Sequence, residues 1–114
     1  MVPYEPVHAR LFQLPGPLQA ASLTPAEVLH VERLLTRSLQ QYHLSLPSYA
    51  RQYIGVTDSQ GQKVVWVNAL CRVPDSARWQ TSLYEVKGGG SCYWGMQVNL
   101  TTEQASHFRQ NASR

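Results

Sequence analysis

One well-marked helix followed by β-type segments at 49–57, 63–73, 81–87 and 92–100 constrains this chain more than any other feature. The helix start is written four times over. Thr24 suits an N-cap, Pro25 the first helical position, Glu27 the third residue of a capping box, and Leu23 a staple onto Val28. Val28, Val31, Leu35, Leu39 and Tyr42 then recur at steps of three and four, an apolar stripe that must lie on a sheet.

Turn chemistry separates the segments. Asp58 to Gly61 reads as a hairpin turn, Pro74 to Ala77 as a looser link, and Gly88 to Gly90 as the last hairpin. Short links favour an antiparallel meander. The fold class is α+β: one helix packed on a four-stranded antiparallel meander. An extended arm rich in proline at 1–22 precedes this domain at 23–102, and a polar C-terminal tail follows at 103–114.

Side chains alternate faces along a strand, and partners across a turn sum to a constant. Centring the turns sets Ile54 opposite Val65, Ala69 opposite Tyr84 and Val86 opposite Cys92. The face under the helix then holds Ile54, Val56, Val65, Val67, Ala69, Cys71, Tyr84, Val86, Cys92, Trp94, Met96 and Val98. The other face carries Tyr49, Arg51, Tyr53, Trp66, Asn68, Leu70, Leu83, Glu85, Lys87, Tyr93, Gly95 and Gln97. It is aromatic, and no second helix exists to cover it. The arm, a second copy or a ligand is expected there.

The same register puts Cys71 and Cys92 on non-adjacent strands, well over 10 Å apart by strand geometry, and predicts two buried free thiols. His8, His30, His43 and His107 are dispersed with no pair at ligand spacing, so neither a metal nor another cofactor is expected. Ser91 lacks the strand-elbow-helix setting of a nucleophile. Gly88 to Ser91 leads into a strand, not the helix N-terminus that a phosphate loop requires. No catalytic residue is assigned.

A net charge of +3 with only 15% charged residues and scattered arginines permits nucleic acid without indicating it. Arg51, Tyr53, Trp66 and Tyr93 form a stacking platform, but the RRM signature and its second helix are missing. No apolar stretch is long enough to span a bilayer. Residues 1–10 hold Glu5, His8 and two prolines and no apolar core of leader length. The expected setting is cytoplasmic, or periplasmic or secreted if a leader was removed. Sequon-like triplets begin at Asn99 and Asn111, a pattern that arises easily by chance.

A helix cradled by an antiparallel meander resembles the cystatin-like architecture. The segments 49–56, 65–71 and 88–95, closing with 98–101, are similar to a group of small uncharacterised bacterial proteins. The resemblance implies a fold and no activity. Inhibitory cystatins use a Gln-x-Val-x-Gly hairpin, and residues 58–62 do not contain it.

The function expected is a non-enzymatic binding or assembly module acting through Arg51, Tyr53, Trp66, Asn68, Glu85 and Tyr93, with a protein partner or self-association. The alternative is a small enzyme or ligand pocket centred on Glu85, the one acid on the open face. A cystatin-like protease inhibitor is a third reading, which the missing motif disfavours.

Overall fold

The computed structural model describes residues 1–74 and 77–111. Helix α1 spans Pro25–Leu39, and its N-cap is the one written in the sequence. Thr24 accepts from the Glu27 amide at 3.1 Å while Glu27 accepts from the Thr24 amide at 2.8 Å. Five antiparallel strands follow chain order across one sheet: β1 (Gln19–Ala20), β2 (Ala50–Thr57), β3 (Lys63–Leu70), β4 (Tyr93–Asn99) and β5 (Gln104–Gln110). The chain is therefore α+β as expected, with five strands in place of four.

Three departures account for the changed strand count, the first being the short β1 that the arm adds at one edge. Residues 81–87 do not pair as a strand, and Tyr84 and Val86, expected under the helix, line a cleft with Trp66 on the other face. β3 hydrogen-bonds directly to β4, and the intervening chain crosses the sheet face after a 3-10 turn at Ala77–Gln80. The Pro74–Ala77 link lies partly outside the described residues. The expected polar tail instead contributes β5 at the sheet edge. A bulge concealed that strand: between Gly95 and Gln97 of β4 the register shifts, and His107 takes a left-handed φ of 58°. Ala105 and Phe108 thereby reach the same face although three residues apart, which breaks the alternation that marks a strand.

The first hairpin differs by one residue. Ile54 pairs with Trp66, not Val65, because the loop between Thr57 and Lys63 has an odd number of residues, 58–62. Asp58 closes it by accepting from the Gln60 and Gln62 amides, each at 2.9 Å. A one-residue slip exchanges the faces of a whole strand. Tyr49 and Tyr53 consequently lie under α1, and Ile54 and Val56 lie on the opposite side.

Each face has its own core. Val31, Leu34, Leu35 and Leu39 of α1 pack on Val65, Val67, Ala69, Trp94, Met96 and Val98. On the other face, Val2, Leu11 and Phe12 of the arm cover Ile54, Val56, Val64 and Trp66. The arm also lines the β2 edge: the Val2 amide donates to the Tyr53 carbonyl at 2.9 Å, and β1 pairs with Val56 and Thr57. An edge strand that would template aggregation is thereby occupied.

The free-thiol expectation is overturned. Cys71 and Cys92 form a disulfide with Cα atoms 4.8 Å apart. With no strand at 81–87 to separate them, the two cysteines simply extend the β3–β4 ladder beyond the Leu70–Tyr93 pair, and the Cys71 amide donates to the Cys92 carbonyl at 2.8 Å.

Candidate functional site

The disulfide closes a loop whose described residues, 72–74 and 77–91, lie over the arm side of the sheet, where side-chain amides fasten them. Gln52, 3% exposed, donates through Nε2 to the Trp79 and Ser82 carbonyls and accepts through Oε1 from the Tyr84 amide at 2.8 Å. Its Oε1 also accepts from Asn68 Nδ2 at 2.8 Å, and that nitrogen donates again to the Tyr84 carbonyl at 2.8 Å. Asn111 donates to the Val86 carbonyl and, at 2.9 Å, to that of Gly88. From Trp79 to Gly88 the loop is irregular in backbone and yet fixed.

The three glycines serve the turn. Gly88, Gly89 and Gly90 all have positive φ, and a Cβ on Gly89 would lie 2.6 Å from Cδ2 of Tyr93. Tyr93 is thus seated over a glycine. Trp66 is seated the same way, since a Cβ on Gly95 would run into its indole.

Four of the six residues singled out in the sequence meet at one cleft. Trp66, Asn68, Glu85 and Tyr93 line a cavity of about 140 Å³, together with Leu83, Tyr84 and Arg109. They do not form an open platform. Trp66 is only 4% exposed, covered by the arm and by the Arg109 guanidinium 5.3 Å from its ring centroid. Glu85 stands at the mouth, with its side chain 57% exposed and ion-paired to Arg10 of the arm. A second hollow of about 290 Å³ adjoins it, bounded by Pro74, Trp79, Ser82, Leu83 and Tyr84. Leu83 and Tyr84 are the wall between the two.

Arg51 and Tyr53 lie elsewhere, on the α1 side. The Arg51 guanidinium donates to Glu32 Oε2 at 2.7 Å, to the Tyr53 hydroxyl at 3.0 Å, and to the Leu46 and Tyr49 carbonyls at 3.0 and 2.9 Å. The Tyr53 hydroxyl donates to the same carboxylate oxygen at 2.9 Å. Burial pushes the Tyr53 hydroxyl up to about 12, against the opposing pull of Arg51, from an ordinary value of 10.0. This arrangement fastens β2 to α1.

The Tyr53 shift has a direction in stability. The unfolded chain loses the phenol proton near its ordinary value, while the folded chain retains it, so the contribution is complete below about pH 10 and declines toward about pH 12. Urea unfolding of the wild type should show this alkaline decline, and Tyr53→Phe should flatten it. Equal slopes in the two proteins would contradict the assignment.

Gln52, Glu32, Trp79, Tyr84 and Arg109 went unrecognised in the sequence. The correct β2 register would have placed Gln52 opposite Asn68, and recognition of the β5 bulge would have put Arg109 opposite Gly95. Among the described residues, no three His, Cys, Asp or Glu side chains gather as a metal site, and no helix is long and apolar enough to cross a membrane. Comparison with known proteins finds no matching family model, no matching curated protein and no matching solved structure.

Proposed function

We propose that the protein is a non-enzymatic binding module that receives an extended polypeptide segment across the disulfide-closed loop. The carrying observation is the pair of adjoining hollows, about 140 and 290 Å³, divided by Leu83 and Tyr84. Drug-sized ligands occupy cavities of about 300–1,000 Å³. The smaller hollow suits one side chain, and two hollows across a ridge suit neighbouring side chains of one segment.

The loop also presents the residue types that dominate interfaces. Tyr84 is 39% exposed, while its backbone amide and carbonyl are both fixed by Gln52 and Asn68. A rigid aromatic loses little entropy on binding. Glu85 supports a polar contact at the rim over acid–base chemistry, because its carboxylate is exposed and already held by Arg10. The disulfide supports an oxidising, extracytoplasmic setting. The helix lying along one sheet face supports a cystatin-like reading of the architecture, to which the arm and β5 are additions.

Selection from a random peptide library against the wild type, followed by affinity measurement on Tyr84→Ala and Glu85→Gln, tests this function. The expected result is an enriched sequence whose affinity falls about tenfold or more in Tyr84→Ala, a loss typical of an aromatic anchor. No enrichment, or binding indifferent to both substitutions, would overturn it. Light scattering on the same proteins identifies self-association if a second copy is the partner.

A further inference from the structure

The helix side carries a separate surface. A groove of about 590 Å³ runs between the outer face of α1 and the turn at Leu46–Ser48. Leu29, Arg33 and Arg37 stand at four-residue steps along its helical wall, so they form one ridge. Leu29 is 61% exposed, an apolar side chain pointed away from the core. Leu46 and Pro47 line the opposite side.

Charge in the groove is one-sided. Glu32 is its only acid, and Arg51 and the Tyr53 hydroxyl already occupy that carboxylate. The Arg33 and Arg37 guanidinium groups make no hydrogen bond or ion pair among the described residues. Among the described residues, three other acids are ion-paired away from the groove: Glu27 with Lys63, Glu85 with Arg10 and Glu103 with His30. Two unneutralised guanidinium groups one turn apart therefore border an apolar floor.

We infer that this groove docks an acidic polypeptide segment, its carboxylates on Arg33 and Arg37 and an apolar side chain against Leu29 and Pro47. Guanidinium forks match carboxylates in bidentate geometry. Single-stranded nucleic acid is the less suitable occupant, because it requires aromatic faces for its bases and none lines the groove. The surface is independent of the loop hollows, since no residue lines both.

Fluorescence anisotropy with three dye-labelled probes decides the matter: a peptide alternating glutamate and leucine, its counterpart with glutamine for glutamate, and an oligouridylate. The acidic peptide is expected to bind best and to weaken with added salt. Arg33→Gln with Arg37→Gln should lower its affinity about tenfold and Leu29→Ser several-fold, whereas Tyr84→Ala should leave it unchanged. All these side chains are exposed, and thermal melts will verify that the variants fold. Equal affinity for the glutamate and glutamine peptides would overturn the inference, as would stronger binding of the oligouridylate. Loss in Tyr84→Ala alone would transfer the binding to the loop and overturn it equally.

Discussion

Replacing both cysteines, Cys71→Ser with Cys92→Ser, is expected to lower the free energy of unfolding by about 3 kcal/mol. The disulfide links residues 21 apart in sequence. Closing a loop of that length removes about 3 kcal/mol of conformational freedom from the unfolded chain. Spread over a chain of this size, the loss corresponds to a melting temperature lower by roughly 12 °C. The ladder beneath should survive, because β3 and β4 pair through seven positions independently of the cysteines. Urea unfolding of the double variant, and of wild type with a dithiol reductant, should agree. A loss below about 1 kcal/mol in both would show that the side-chain amides alone hold the loop. The same variant should lose peptide binding at the loop hollows and retain acidic-peptide binding at the α1 groove.

That prediction reverses the one drawn from the sequence, and the reversal has a physical origin. The α1 boundary was legible because Thr24, Pro25 and Glu27 act within one turn of each other. The β3 and β4 faces were legible too, since Val65, Val67, Ala69, Trp94, Met96 and Val98 alternate without interruption. What lay beyond reach depends on single-residue offsets. The parity of the 58–62 loop decided which face Arg51 and Tyr53 share, and composition does not encode parity. The bulge at His107 placed Ala105 and Phe108 on one side at a spacing of three, which breaks the period of two that marks a strand. Residues 81–87 alternate like a strand, yet the backbone of Ser82, Tyr84 and Val86 bonds to the side chains of Gln52, Asn68 and Asn111 in place of a neighbouring strand. Trp66, Asn68, Glu85 and Tyr93 do converge on one cleft, but the aromatic face that suggested them is the floor of a second core. The arm, read from its prolines as extended, winds into a 3-10 helix over Pro6–Leu11 and supplies the Leu11 and Phe12 that bury it.

Gln52→Leu is expected to cost about 3 kcal/mol, more than its conservative volume suggests. The wild-type amide satisfies the Trp79 and Ser82 carbonyls, the Tyr84 amide and one Asn68 proton inside a site where Gln52 is 3% exposed. Leucine fills the space and satisfies none of them. Each stranded buried polar group costs about 1–3 kcal/mol, and water entering the loosened loop recovers part of the total. Asn68→Ala should cost less, about 1 kcal/mol, because Asn68 is only half-buried and Gln52 continues to hold the Tyr84 amide. Hydrogen exchange localises the damage: amides from Trp79 to Tyr84 should lose protection in Gln52→Leu while those of β3 and β4 keep theirs. Combined with the cysteine replacements, Gln52→Leu should cost less than it does alone, by about 1 kcal/mol, since both changes release the same loop. Strict additivity in that double-mutant cycle would mean that disulfide and amide act on separate structures, contrary to a loop held shut from both ends.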